Sequence, residues 1–354
     1  MQMASSDKIL SASRILMTGA AGFIGWHLCR RLSACNLELH ATSRRDRPRL
    51  PSEPIWWQAD MANSADARRV FTAVKPDIVI HLAGSTGARV DRDLVLPTFH
   101  SLATSTANLL VLASEHGCRR VILVGSLNEP VPSRQALIPG SPYAAAKWIG
   151  SVYGRMFHAL YGTPVVNLRP FMAYGPAQAR SKLVPYVTLS LLEAESPRLS
   201  SGRVRGDWVY IEDVIDAFLM AAATPGIEGQ TFDLGTGSLT SMHTLVEMLV
   251  EVTGSRIVPR FGAIPDRPHE QEIVADTAPA AEQLGWRAKT SLEEGLRKTV
   301  AWYKANPGVD CDSSNSPGSG TTISPTTKPS KRPGKSSGMG TDLRGERRNP
   351  EGGR

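Results

Sequence analysis

The chain has 354 residues, 41% hydrophobic and 21% charged, with 40 Lys and Arg against 33 Asp and Glu for a net charge of +7. That composition excludes a fibrous, coiled-coil or wholly disordered protein, and at roughly 150 residues per domain the length predicts two lobes with a sizeable core. From Gly308 onward eight basic and five acidic side chains carry three of the seven net charges, so the basicity marks a tail and predicts no nucleic-acid partner.

Residues 1–13 form a polar, flexible leader without the basic-then-apolar pattern of a secretory signal. RILMTGAAGFIGWHLCRRL (14–32) reads as an apolar strand, a Gly-rich turn and a helix. Strands follow at LELHATSR (37–44) and IWWQAD (55–60), a helix at DARRVFTAVKP (66–76) and a buried strand at DIVIHLAG (77–84). TSTANLLVLASEHG (104–117) is an amphipathic helix, and RRVILVGS (119–126) is a further strand. SPYAAAKWIGSVYGRMFHALYG (141–162) carries Ser141 as N-cap and Pro142 at the first helical position. TPVVNLRPF (163–171) is again a strand, after which the alternation loosens through about residue 270. SLEEGLRKTVAWYKAN (291–306) is a last helix, with acids early and bases late as the helix dipole prefers. Residues 307–354 are Ser/Pro/Gly/Thr-rich with almost no aliphatic side chains and are expected to be disordered.

Short β-rich runs alternating with helices predict an α/β fold, a doubly wound parallel sheet of Rossmann type. This sheet domain is expected mainly over 14–175, and a smaller mixed α/β lobe mainly over 176–306, with segments returning to the first. No apolar run approaches the ~20 residues of a membrane helix, so no membrane is expected. Cys29, Cys35, Cys118 and Cys311 show no CxxC spacing, and the eight histidines show no ligand spacing with acids or cysteines. No metal site is expected, and the cysteines fit a reducing, cytoplasmic compartment.

TGAAGFIG places Gly19, Gly22 and Gly25 between a strand and a helix. Glycines there let the turn tighten and let backbone N–H groups reach a pyrophosphate at the helix N-terminus. The second strand ends Ala41-Thr42-Ser43-Arg44-Arg45 with no acid until Asp46. Ser43 and Arg44 suit a ribose 2′-phosphate, which favours NADP while leaving NAD open; a solvated loop is the bland alternative. Asp60, after the third strand, is positioned to accept a hydrogen bond from an adenine amine, or is an ordinary loop acid.

Tyr143 and Lys147, four apart on one helix, share a face. A phenol near pKa 10 is a poor base at neutral pH, and a neighbouring ammonium stabilises its phenolate. The same lysine can bond a nicotinamide ribose, so the pair suits hydride chemistry.

TGAAGFIG, HLAG, SPYAAAK, LRPFMAYGP, DWVYIEDV, FDLGTG and LGWRAKTSLEEGL together resemble, in order, the extended short-chain dehydrogenase/reductases. The likeness spans about residues 14–306 and points to the NAD(P)-dependent nucleotide-sugar epimerase/dehydratase branch. The resemblance implies Tyr143 as acid/base on the sugar, with Lys147 as its partner and ribose ligand. It implies a pyrophosphate lined by Thr18, Gly19, Gly22, Phe23, Ile24 and Gly25, a groove bordered by Leu82, Ala83 and Gly84, and a nicotinamide flanked by Pro170 and Phe171. Lys182, Leu183, Arg205 and Arg267 fall where such enzymes hold a nucleotide-diphosphate sugar. Family members often form homodimers through the tyrosine-bearing helix and the one before it. Trp148, Val152, Met156, Phe157 and Leu160 give the former an apolar stripe.

The pattern breaks after the strand ending Val124-Gly125-Ser126. The family's acting Ser or Thr falls on Leu127, so either Ser126 shifts into the site as a third catalytic residue or Asn128 or Glu129 supplies the polar contact. The related 4,6-dehydratases carry Thr-Asp-Glu there, and the amide of Asn128 cannot replace an acid, which disfavours dehydration. The resemblance thus implies an NAD(P)-dependent nucleotide-sugar epimerase or reductase that transfers hydride at a sugar carbon, expected at C4. It implies a dinucleotide-binding domain mainly over 14–175 and a substrate lobe mainly over 176–306. The one alternative is a catalytically impaired cofactor-sensing or scaffold protein of the same fold.

Overall fold

A computed structural model of the protein describes residues 12–47, 53–84, 87, 89–130, 138–266 and 272–307. Most of the leader, the tail from 308 and Arg267 lie outside the described residues. In chain order the first half runs β1 (Arg14–Thr18), α1 (Phe23–Leu32), β2 (Glu38–Ser43), β3 (Ile55–Gln58), α2 (Ser64–Val74) and β4 (Ile78–His81). There follow α3 (Val95–Thr98), α4 (Ser105–Glu115), β5 (Arg120–Val124), α5 (Pro142–Tyr161), β6 (Val165–Pro170) and β7 (Met172–Tyr174). Next come α6 (Leu183–Leu192), β8 (Arg205–Gly206), β9 (Trp208–Tyr210), α7 (Ile211–Ala223) and β10 (Thr231–Leu234). The chain continues through β11 (Thr240–Ser241), α8 (Met242–Thr253), α9 (Ala278–Gln283) and α10 (Leu292–Ala305).

Seven strands form one parallel sheet in the order β10-β6-β5-β4-β1-β2-β3. The reversal of strand order between β1 and β4 opens the crevice where such folds take a dinucleotide. Alternate residues of the strands feed two cores. Ile15, Met17, Ile78, Ile80 and Ile122 pack on one face with Leu28 and Phe218. Leu16, Val79, Val121 and Leu123 pack on the other with Phe71, Leu109 and Phe157. Burial on both faces is why these strands are apolar throughout rather than alternating.

The loosely patterned stretch is more regular than the sequence suggests. α7 buries ten of its thirteen residues, and β10 rejoins the main sheet beside β6. Two small two-stranded sheets, β11-β8 and β7-β9, stand apart from the main one. On α5 the N-cap is the one read from the sequence, Ser141 Oγ accepting the Ala144 N–H at 3.1 Å, and Gly162 closes the helix at φ 65°.

Helical structure begins well before residue 104. A 3-10 turn (Arg92–Leu94), α3, a π-helical segment (Phe99–Thr104) and α4 join end to end. This Arg92–Glu115 stretch of 24 residues is, by length and composition alone, apolar enough to cross a membrane, unlike any run expected from the sequence. Its Leu102, Ala103, Leu109, Leu110, Leu112 and Ala113 are buried within the protein. The expected stripe on α5 divides: Phe157 enters the core with Met156 against it, while Val152 and Leu160 are exposed.

Candidate active site

The turn after β1 is built for backbone approach. Gly19 sits at φ +68°, and a Cβ there would lie 2.6 Å from the Ala83 nitrogen. A Cβ on Gly25 would meet the Gly19 carbonyl oxygen and lie 2.6 Å from the Ala20 Cα. Only hydrogen fits at either place, so the turn closes on the Leu82-Ala83-Gly84 loop and on the start of α1. Gly22 is the N-cap of α1 and brings no capping side chain. The first-turn N–H groups ahead of Phe23 and Ile24 thus keep the partial positive charge that a phosphate neutralises. This bare cradle fits a dinucleotide pyrophosphate. Gly84, at φ +145°, has the Leu102 side chain where a Cβ would stand.

At the outer end of the crevice β2 pairs with β3, Ser43 opposite Gln58. Ser43 Oγ accepts the Arg45 N–H at 3.1 Å, and Arg44 is exposed beside it. Asp60 is exposed, with Oδ1 accepting the Ala62 N–H at 3.0 Å. These three residues lie at the C-terminal ends of neighbouring strands, the edge on which the Gly-rich turn also lies.

Thr18 belongs to a buried chain of hydrogen bonds. Its hydroxyl accepts the Ala83 N–H at 3.1 Å and reaches His81 Nδ1 at 2.7 Å. His81 Nε2 stands 3.3 Å from Ser105 Oγ. With Thr18 donating to Nδ1, the ring proton is assigned to Nε2. Burial first, and then the nearby Lys147 charge, push the His81 pKa down to about 3, so the ring is neutral.

Tyr143, Lys147 and Ser126 meet at the ends of β5 and α5. Tyr143 stands beside the Ser126 side chain. Burial raises the phenol pKa, the Ser126 side chain opposes that shift, and the Glu129 charge adds to it. Lys147 Nζ donates to the Val124 carbonyl at 2.7 Å. Burial lowers its pKa to about 8 against the pull of Glu129. Of the alternatives left open by the sequence, Ser126 is the one whose side chain favours the ionised form of the tyrosine. Leu127 offers no donor, and exposed Asn128 donates its N–H to Ser126 Oγ at 3.2 Å. Glu129 turns inward, 4% exposed, and accepts the Ser126 N–H at 2.8 Å. Behind Lys147 a small cavity touches His81, Leu102, Ser151 and Asn167.

Pro170 ends β6 half-buried, and buried Phe171 donates its N–H to the Leu234 carbonyl at 3.0 Å. Lys182 is the exposed N-cap of α6, with Leu183 half-buried after it. Arg205 is already engaged: its guanidinium meets the Glu272 carboxylate at 2.6 Å on the exposed surface. Two residues on, Asp207 is fully buried and accepts from the Thr236 N–H and Oγ1 (both 2.7 Å), the Gly237 N–H (2.9 Å) and the Ala275 N–H (3.1 Å). The sequence reading passed over Asp207 and His81. Their apolar neighbours in Asp207-Trp208-Val209 and Ile80-His81-Leu82 were the available signal. Among the described residues no group of three or more His, Cys, Asp or Glu could hold a metal ion.

The sequence model of the NAD dependent epimerase/dehydratase family matches residues 15–235. A UDP-glucose 4-epimerase of Mycolicibacterium smegmatis is 30% identical over 313 residues, covering 82% of this chain and 98% of that protein. A dTDP-glucose 4,6-dehydratase of Neisseria meningitidis is 29% identical over 339 residues, covering 83% and 94%. Among solved structures, the Thermotoga maritima UDP-glucose 4-epimerase with UDP-glucose superposes with a TM-score of 0.75 at 26% identity, covering 82% of this chain and 98% of that one.

Proposed function

The chain belongs to the NAD dependent epimerase/dehydratase family and is an NAD(P)-dependent enzyme of the extended short-chain dehydrogenase type, and from that premise we propose that it moves hydride at C4 of a nucleotide-linked sugar without eliminating water. Relatives of both the epimerase and the dehydratase kind match at nearly equal identity, so the choice rests on the site. The observation that carries it is the Ser126–Glu129 segment: Asn128 is an exposed amide, and the buried Glu129 carboxylate is taken up by the Ser126 N–H at 2.8 Å. The amide of Asn128 cannot protonate a leaving hydroxyl, and the carboxylate of Glu129 is held by the Ser126 peptide rather than free to take a C5 proton.

The dinucleotide, when bound, supplies the hydride acceptor and donor. Tyr143 takes the proton of the sugar 4-hydroxyl during oxidation and returns one during reduction. Ser126 orients that phenol. The Lys147 ammonium stabilises the phenolate that accepts this proton in oxidation and that is left after the proton is given in reduction, and it holds the ribose. Thr18, Gly19, Gly22 and Gly25 with the α1 N-terminus hold the pyrophosphate. Ser43 and Arg44 favour NADP over NAD. Lys182, Leu183 and Arg267 remain the proposed substrate contacts. Arg205 joins them only by leaving Glu272.

The test is turnover. Protein is incubated with UDP-glucose or UDP-galactose, and separately with NADPH and a nucleotide-linked 4-keto sugar, and the products are read by NMR at C4. Epimers formed without net cofactor change identify an epimerase, and one NADPH consumed per alcohol a reductase. A 4-keto-6-deoxy product refutes the proposal. Retained NAD(H) after purification, seen by native mass spectrometry, would overturn the reading of Ser43 and Arg44. The alternative of an impaired sensor or scaffold finds no support in the comparisons.

With this reading go a cytoplasmic location and a homodimer. Val95, Leu96 and Phe99 are exposed on a segment packed beside α5, where Val152, Tyr153 and Leu160 are also exposed. Light scattering at micromolar protein should give twice the chain mass. A strict monomer would refute the dimer.

A further inference from the structure

Gly125, at the end of β5, leaves a seat that a side chain would fill. A Cβ there would stand 2.5 Å from Glu129 Oε1, 2.8 Å from Arg169 Cγ and 3.1 Å from Asn167 Nδ2. Into that seat the chain folds back, and the Glu129 carboxylate accepts the Ser126 N–H at 2.8 Å. Ser151 of α5 also favours the charged form of this carboxylate, and its hydroxyl takes the Asn167 amide at 2.8 Å. A buried carboxylate held this way has been given defined partners, which a surface acid lacks.

Charged and titratable groups face it from each packed element. From β6 comes Arg169, which is clamped on Asp233 of β10 at 2.6 Å. From α5 come Tyr143 and Lys147, and from β4 His81 faces Lys147. His81 is neutral and Arg169 already holds an acid, so Glu129 is the carboxylate acting on the lysine. Burial raises the Glu129 pKa, while Ser151, the Ser126 N–H, Arg169 and Lys147 pull it back. The charge of Lys147 conversely gains from Glu129 against its own burial.

We propose that Glu129 is a positioning residue: from behind β5 it fixes the Ser126 peptide and supplies the buried negative charge opposite Lys147, while taking no part in contact with the sugar. This rests on the reading of Tyr143 and Lys147 as the hydride-chemistry pair and deepens it. One carboxylate thereby sets both neighbours of the phenol, the hydroxyl that orients it and the ammonium that stabilises its ionised form. It also accounts for an acid in a segment whose other residues, Leu127 and Asn128, bring no charge.

The test uses the full-length protein and needs neither substrate nor turnover, so its failure is separable from failure of the proposed activity. Lysine labelled with ¹³C at Cε is followed by NMR across pH, with the Lys147 signal assigned from Lys147→Met. In the native protein its midpoint is expected near 8. In Glu129→Gln it should fall by about one unit or more, a roughly tenfold loss of charged lysine above the new midpoint. Should Glu129→Gln not fold, the reciprocal measurement serves, because coupled titrations act both ways. The ¹³Cδ titration of Glu129 should then move up in Lys147→Met. A Lys147 midpoint unmoved in folded Glu129→Gln, or a Glu129 midpoint unmoved in Lys147→Met, overturns the proposal.

Discussion

Asp207→Asn is the sharpest test of how β9 is tied to the segments after β10 and before α9. The two carboxylate oxygens of Asp207 accept four donors, two each: Thr236 N–H and Oγ1 on one, Gly237 and Ala275 N–H on the other. An asparagine is nearly the same shape but turns one oxygen into an NH2 group. Whichever way the amide is flipped, two donors then face a donor. Each buried donor left unpaired costs about 1–3 kcal/mol, so the variant should lose roughly 2–6 kcal/mol. At roughly 2–4 °C per kcal/mol, its thermal midpoint should fall by about 5–20 °C. Guanidinium unfolding followed by tryptophan fluorescence gives the free energy by linear extrapolation. Arg205→Ala is the control, since its pair with Glu272 is on the surface and its loss should leave stability unchanged. Asp207→Asn unfolding within about 1 kcal/mol of the parent, at equal slope, would show that these hydrogen bonds do not carry the load assigned to them.

Further outcomes follow from the site. Tyr143→Phe should lower kcat by about 10²–10⁴ while leaving cofactor affinity near the parent value, as expected for loss of a general acid/base; loss of cofactor binding instead would point to a structural role. Gly19→Ala puts a side chain at φ +68° against the Ala83 backbone. The strain is roughly 1–3 kcal/mol, and dinucleotide affinity measured by fluorescence titration should drop at least about tenfold; unchanged affinity would contradict the cradle. Burial lowers the pKa of His27 to about 4 and of His81 to about 3. Unfolding lets both take protons near pH 6.5, so stability present above that value should be lost as pH falls towards 4. Thermal midpoints that stay flat between pH 7 and 5 would contradict this.

The first half of the fold was legible because its signals are local. Strands buried on both faces are uninterrupted apolar runs, and α5 carries its start in Ser141 and Pro142. α7 was illegible for the opposite reason: it follows β9 directly, with Tyr210 as an N-cap that makes no side-chain bond, and apolar residues cover nearly its whole circumference. The site divides in the same way. Tyr143 and Lys147 are set by helical spacing and could be read. The direction taken by Ser126, Asn128 and Glu129 depends on one turn after a strand, and that turn depends on the seat behind Gly125. Arg205 could be read as a charge, but its partner Glu272 is 67 residues away and no spacing announces it.

The π-helical segment Phe99–Thr104 acts as a phase shifter. An α-helix advances about 100° per residue, so a wide turn rotates everything downstream relative to everything upstream. One continuous rod can then present Val95, Leu96 and Phe99 outward in its first half and deliver Leu109, Leu110 and Leu112 to the interior in its second. The rotation also sets Leu102 against Gly84, on the loop beside the dinucleotide crevice. Deleting a single residue here would restore regular α-helical winding and swing the two halves out of phase. The surface of the molecule and the floor of its crevice are therefore geared to one another through these six residues.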